Sequence, residues 1–141
     1  MAMVKIKVAE AGPRALDWLV AKCVVPNDPR DGRPGFWLHP NNPKLVCRIS
    51  HNYVDHPDGY TLCLYTTDWA QGGPIIEEGE IGIVRNAPCS QGREWEARPS
   101  ITAKGAGGRW GYGPTPLIAA MRCYVASKFG DEVEVPEELL T

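Results

Sequence analysis

Backbone breakers recur throughout this sequence and limit how long any helix or strand can be. The chain has 15 glycines and 13 prolines among its 141 residues, and both residue types interrupt regular structure. Six of the prolines fall between residues 26 and 60, where only two short apolar segments remain. The sequence therefore predicts short elements joined by many loops, within one domain spanning residues 1–141.

The segments between these breakers show both strand and helix patterns, which indicates an α+β fold. Residues 3–8 alternate apolar and charged side chains, as in a half-buried strand. One main helix is expected from about residue 13 to 23, and a second from Thr115 and Pro116 to Gly130, because these residue types cap and terminate helices. A single helical turn is expected at Pro74. Further strands are expected at 36–38, 45–49, 60–65, 81–84, 95–97 and 101–103. The predicted fold is a small, mostly antiparallel sheet packed with two main helices, with Val133, Val135 and Leu139 of the acidic tail tucked against the surface.

Charge and cysteine content argue against several classes of function. A net charge of -2 and a pI near 5.9 provide no overall basic field for binding duplex DNA. The five cysteines are odd in number and form no CxxC pair, which argues against a disulfide framework and a zinc knuckle. No apolar run approaches 18 residues, so no membrane span is expected, and the N-terminus lacks a signal-peptide pattern. We expect a cytosolic protein without metal or cofactor, whose histidines (His39, His51 and His56) are solvated or cap local structure.

No catalytic motif emerges from the sequence. Residues 108–115 have the glycine spacing of a P-loop, but Pro114 stands where that motif needs lysine. Cys89 and Ser90 do not form a nucleophile elbow, and no local base activates Cys89 or Cys123. We therefore predict no catalytic residue and no enzymatic activity.

Two glycine-containing loops at helix starts form the candidate ligand site. Free backbone N–H groups at a helix start attract anions, and indole or phenol rings can stack on a base. The first loop contributes Asp68, Trp69, Gln71, Gly72 and Gly73; the second contributes Arg109, Trp110, Tyr112, Gly113 and Thr115, backed by Arg122 inside the following helix. The alternative is structural: Asp68 caps its own loop, and the aromatic rings fill the core.

Three segments have specific sequence patterns: TDWAQGGPII at residues 67–76, GPTPLIAAMR at 113–122 continuing through FGDEV at 129–133, and ALDW with VAK at 15–22. Together these segments resemble the NinX-like family, small accessory proteins of tailed bacteriophages and prophages. The resemblance covers roughly half of the chain, whereas residues from about 26 to 60 match less well and are interpreted as a variable insertion. It implies a phage origin and a place in the host cytoplasm, without implying a particular reaction.

These observations lead to two hypotheses of different kinds. The first is a non-catalytic sponge that binds a small phosphorylated nucleotide, such as a cyclic nucleotide or an ADP-ribose derivative used as a host immune signal. The alternative is a protein-binding inhibitor or adaptor whose acidic surface and acidic tail occupy a nucleic-acid site on a host enzyme. A homo-oligomer is a further expectation, since small binding proteins often build a pocket between protomers.

Overall fold

The computed structural model describes residues 2–27, 32–49, 60–86, 91–99 and 109–140. The strand expected at 101–103 lies outside these residues, as do Cys89, His51 and His56. The elements in chain order are β1 (Met3–Lys7), a 3-10 turn (Val8–Glu10), α1 (Pro13–Val24), β2 (Phe36–His39), β3 (Asn42–Ile49), β4 (Tyr60–Leu62), α2 (Trp69–Glu78), β5 (Gly82–Arg85), β6 (Trp95–Arg98), β7 (Gly111–Gly113), α3 (Pro116–Phe129), β8 (Glu132–Pro136) and a second 3-10 turn (Glu137–Leu140).

The described strands pair antiparallel throughout, which confirms the predicted α+β class. They are divided among three small sheets, β1–β8, β2–β3–β4 and β5–β6–β7, where the sequence suggested one sheet. Two of these sheets contact α3, whereas β2 and β3 of the remaining sheet contact α1. Nine consecutive or near-consecutive residues of α3 are buried, so the helix is covered on all sides. A single flat sheet can cover only one side of a helix, whereas α3 packs against β5, β6, β7, β8, α1 and α2.

A buried carboxylate fixes α1 to the segment that precedes α2. Asp17 is fully buried in α1, and its Oδ1 accepts hydrogen bonds from the backbone N–H and the hydroxyl of Thr66, both at 3.0 Å. The Arg14 guanidinium donates to Oδ2 at 2.9 Å. Burial raises the pKa of Asp17 to about 6, although the Thr66 and Arg14 contacts act in the opposite direction.

The C-terminal tail is a strand that belongs to the fold. β8 pairs with β1, and its side chains alternate so that Val133 and Val135 are buried, followed by buried Leu139. These are the three apolar residues that the sequence placed against the surface. Lys5 of β1 binds the carboxylate of Glu132 at 3.4 Å.

Candidate functional site

Two glycines allow β7 to lie directly on α3. A Cβ atom at Gly111 would lie 2.3 Å from the Ala119 carbonyl oxygen, and one at Gly113 would lie 2.9 Å from the Ala119 backbone nitrogen. Both positions therefore require glycine for close packing. Because side chains alternate along a strand, Tyr112 lies on the opposite face of β7, away from α3.

Arg122 connects three segments through backbone carbonyls. Its Nε and Nη2 donate to the Ala11 carbonyl at 3.2 and 2.8 Å, and its Nη1 donates to the Tyr112 carbonyl at 2.7 Å. The side chain is half-buried, and this burial lowers the pKa of the guanidinium. Arg122 thus holds β7 and the turn before α1 against α3.

A groove of about 810 Å³ opens beside β7. Its walls come from the end of β1, the segment before β6, β7 itself and the C-terminal half of α3. Three of the residues singled out from the sequence line it, namely Trp110, Tyr112 and Arg122. They are joined by Lys7 and Arg93, which the sequence analysis did not single out because each lies far from β7 along the chain.

The aromatic residues of the groove are paired with arginines. Trp110 is 53% exposed at the edge of the groove, and the Arg98 guanidinium carbon lies 5.0 Å from the centre of its ring. The Arg93 guanidinium carbon lies 4.1 Å from the centre of the Tyr112 ring. These distances are typical of cation–π stacking, which places flat, charged surfaces beside the groove.

The carboxylates of the groove are already bound to cations outside it. Asp131 accepts from Arg109 at 3.3 Å, and Glu132 is bound to Lys5 at 3.4 Å. Within the described part of the chain, Lys7 and Arg93 form no ion pair with a carboxylate, although Glu132 faces Lys7 in the strand register. The groove therefore presents two cations that can attract an anion.

Asp68 and Gln71 of the first loop have structural contacts. Asp68 is the N-cap of α2 and accepts from the Ala70 N–H at 2.9 Å. The Gln71 side chain accepts from the Leu64 N–H at 2.9 Å and donates to the Leu62 carbonyl at 3.0 Å. These contacts start α2 at Trp69, five residues before the single turn expected at Pro74. Asp68 and Gln71 have the sequence spacing of a capping box, which marks a helix start, although Gln71 here bonds Leu62 and Leu64 instead of the Asp68 N–H.

The remaining residues of the first loop differ in how closely they pack against the rest of the protein. A Cβ atom at Gly72 would lie 2.5 Å from the Tyr65 carbonyl oxygen and 2.6 Å from the Leu117 side chain, whereas one at Gly73 would meet nothing within 4 Å. Gly72 thus brings the start of α2 against the start of α3. Trp69 is 55% exposed, so it does not fill the core, and it does not line the groove beside β7.

Thr115 and Arg109 stabilise the two ends of α3. The Thr115 hydroxyl accepts from the Ile118 N–H at 3.2 Å as the N-cap. The Arg109 backbone N–H donates to the Ser127 hydroxyl at 2.9 Å, and its side chain holds Asp131. Gly130 ends α3 with a φ of 89° and a ψ of -168°, which lies outside the αL conformation of a standard C′ glycine but in a region that glycine adopts readily.

The thiols and histidine of the described residues show no activated group. Cys23, Cys47, Cys63 and Cys123 are free, and burial raises the pKa of Cys63 to about 12 and that of Cys123 to about 11. His39 has local partners: its Nδ1 accepts from the Asn41 N–H at 3.1 Å.

No cluster of three or more metal-ligating side chains occurs among the described residues. None of the helices in that part of the chain has the length and apolarity that crossing a membrane requires.

A comparison with protein-family models gives one finding that concerns most of the chain. Residues 7–128 match the model described as "Bacteriophage P22, NinX". This span contains the groove residues Lys7, Arg93, Trp110, Tyr112 and Arg122, and also residues 26–60. A search of curated proteins finds no match.

Proposed function

Because the chain belongs to the NinX family of bacteriophage P22, we propose that it is a phage accessory protein that binds and sequesters a small phosphorylated nucleotide. The observation that carries this proposal is the groove beside β7, where half-exposed Trp110 lies near two cations without carboxylate partners among the described residues. Its volume of about 810 Å³ is within the usual range for small-molecule sites. We place its action in the host cytoplasm.

The groove offers the two interactions that a nucleotide needs. The Trp110 and Tyr112 rings and the guanidinium planes stacked on them provide flat surfaces for a base. Lys7 and Arg93 provide charge for a phosphate group. Stacking and charge retain a ligand without converting it, so we propose a non-catalytic role as a sponge for a host signal such as a cyclic nucleotide or an ADP-ribose derivative.

Isothermal titration with cyclic dinucleotides and ADP-ribose isomers tests the stacking part of the proposal. Trp110→Leu should weaken binding by about 5- to 150-fold, because one stacked base contributes about 1–3 kcal/mol. Trp69→Leu is the matched control, since Trp69 is similarly exposed, at 55% against 53%, but does not line the groove. Absence of binding across the panel would refute the proposal. Equal losses in the two variants would show that Trp110 has no specific role.

Charge variants test the phosphate part. Lys7→Gln and Arg93→Gln should each weaken binding and reduce its dependence on salt concentration, because fewer cations then face the ligand. Lys44→Gln is the control, since Lys44 is exposed on β3 in a different sheet. Recovery of the unaltered nucleotide from the complex, measured by mass spectrometry, tests the absence of turnover. Light scattering with and without nucleotide tests whether binding involves a homo-oligomer.

The adaptor alternative has weaker support from the described surface. The acidic residues of β8 face lysines of β1, with Lys5 opposite Glu134 and Lys7 opposite Glu132. This alternation gives a surface of mixed charge, whereas an inhibitor of a nucleic-acid enzyme needs a predominantly acidic surface. Stoichiometric recovery of one host protein together with silence in the nucleotide titrations would favour the adaptor.

A further inference from the structure

The face of the β5–β6–β7 sheet that is turned away from α3 carries an unusual set of side chains. Val84, Glu96 and Tyr112 are aligned by the strand register. Trp110 immediately precedes β7 and Arg98 ends β6, and the side chains of these two residues stack on each other. We call these five residues the stacking face. The opposite face of the same strands, with Ile83, Ala97 and Gly111 in register, packs on α3.

Arg98 is held in a fixed position on the stacking face. Its Nε and Nη2 donate to Oε2 of Glu96 at 3.1 and 2.9 Å, and Glu96 is only 9% exposed. The Arg98 side chain is 52% exposed. Its Nε and Nη2 bind Glu96, while the guanidinium plane lies over the Trp110 ring. Glu96 is neutralised by this contact and positions Arg98.

The stacking face continues into the groove through Trp110 and Tyr112. Both residues belong to the stacking face and also line the groove. Tyr112 is in β7 and Trp110 immediately precedes this strand. In extended chain, Cα atoms two positions apart are separated by roughly 6.7 Å, twice the rise of a strand. Each ring carries its own arginine, Arg98 on Trp110 and Arg93 on Tyr112. The two pairs of ring and arginine therefore form two neighbouring subsites with the same chemistry.

We infer that the ligand is a single-stranded oligonucleotide of at least two units, a conclusion that rests on the proposed nucleotide binding. One base stacks at the Tyr112–Arg93 pair and the next at the Trp110–Arg98 pair, while Lys7 and the two arginines face the phosphates. Unpaired bases are required, because stacking on rings and guanidinium planes needs an accessible base face. The described cations along the groove and the stacking face are Lys7, Arg93, Arg98 and Arg122, and the described anions are Glu96, Asp131 and Glu132. Each anion is bound to an arginine or lysine, namely Glu96 to Arg98, Asp131 to Arg109 and Glu132 to Lys5. Lys7 and Arg93 therefore supply the positive charge for a phosphate.

Fluorescence anisotropy or titration with thymidine mononucleotide, dinucleotide and octanucleotide tests the inference. The dinucleotide should bind at least tenfold more tightly than the mononucleotide. Arg98→Gln should abolish most of this gain and weaken mononucleotide binding less than Arg93→Gln does, whereas Arg93→Gln should weaken both ligands. Arg98→Lys keeps the charge without the plane, so it should retain salt dependence and lose the gain. Lys44→Gln serves as the control, and circular dichroism confirms that each variant is folded.

The outcomes separate the two proposals. If mononucleotides or cyclic dinucleotides bind and added length brings no gain, the oligonucleotide inference is wrong and the proposed function stands. If no nucleotide of any length binds, both are wrong. A length gain that survives Arg98→Gln would also overturn the inference, because the second subsite would then lie elsewhere.

Discussion

The substitution Asp17→Asn probes a buried charge at the centre of the fold. Asp17 is fully buried, and it joins α1 to Thr66 through two hydrogen bonds of 3.0 Å. Asparagine keeps the shape and the Oδ1 acceptor for Thr66. Its amide group would face Arg14, whose side chain is 32% exposed and can turn toward solvent. The variant therefore removes the titrating group with little change in packing.

The expected magnitude follows from the pKa of Asp17, which burial raises from 3.8 to about 6. Below pH 3.8 the side chain is protonated in both the folded and the unfolded protein. Between pH 3.8 and about 6 the folded protein retains the proton that the unfolded chain loses, and above this window the folded state carries a buried charge. The stabilisation is thus present at low pH and lost as pH rises. At about 1.36 kcal/mol per pKa unit, the total loss is about 3 kcal/mol.

Urea unfolding of both proteins, followed by tryptophan fluorescence between about pH 4 and pH 7, measures this effect. Comparison with Asp17→Asn cancels the titration of the other carboxylates. The free energy of unfolding of the variant, relative to the unsubstituted protein, should rise by about 2.5 kcal/mol over this range. Asp131→Asn is the control, because Asp131 pairs with Arg109 at the surface. A relative free energy that stays constant or falls with pH would refute the reasoning and show that Thr66 and Arg14 stabilise the charged form.

Three further predictions concern packing and helix ends, each measured by urea unfolding. Gly72→Ala should destabilise the protein by about 2–3 kcal/mol, because the added Cβ would lie 2.5 Å from the Tyr65 carbonyl oxygen. At Gly73 a Cβ meets nothing within 4 Å, so Gly73→Ala should leave the free energy of unfolding unchanged or raise it by up to about 1 kcal/mol. Equal effects at the two positions would contradict the close packing of Gly72 against Tyr65 and against Leu117 of α3. Arg122→Leu should cost about 2–4 kcal/mol by leaving two carbonyls without their donors, and an unchanged midpoint would show that water replaces the guanidinium. Thr115→Ala should cost about 1 kcal/mol through loss of the N-cap, whereas an unchanged free energy would show that this cap contributes nothing.

The groove could be predicted only in part. The sequence pointed to Trp110 and Tyr112 in the loop before α3 and to Arg122 inside that helix. All three residues line the groove. Lys7 and Arg93 could not be found in this way, because they are separated from β7 by many residues of chain. The role of Arg98 was equally hidden, since it depends on the register of β6 against β7.

Local sequence determined where several elements begin and end. Thr115, Pro116 and Gly130 fix the limits of α3, and the alternation of residues 3–8 gives β1, because caps and side-chain alternation act within a few residues of the chain. Tertiary structure alone decided the division into three sheets, the burial of Asp17 and the pairing of arginines with aromatic rings. These features depend on contacts between distant segments, whose geometry no local pattern specifies.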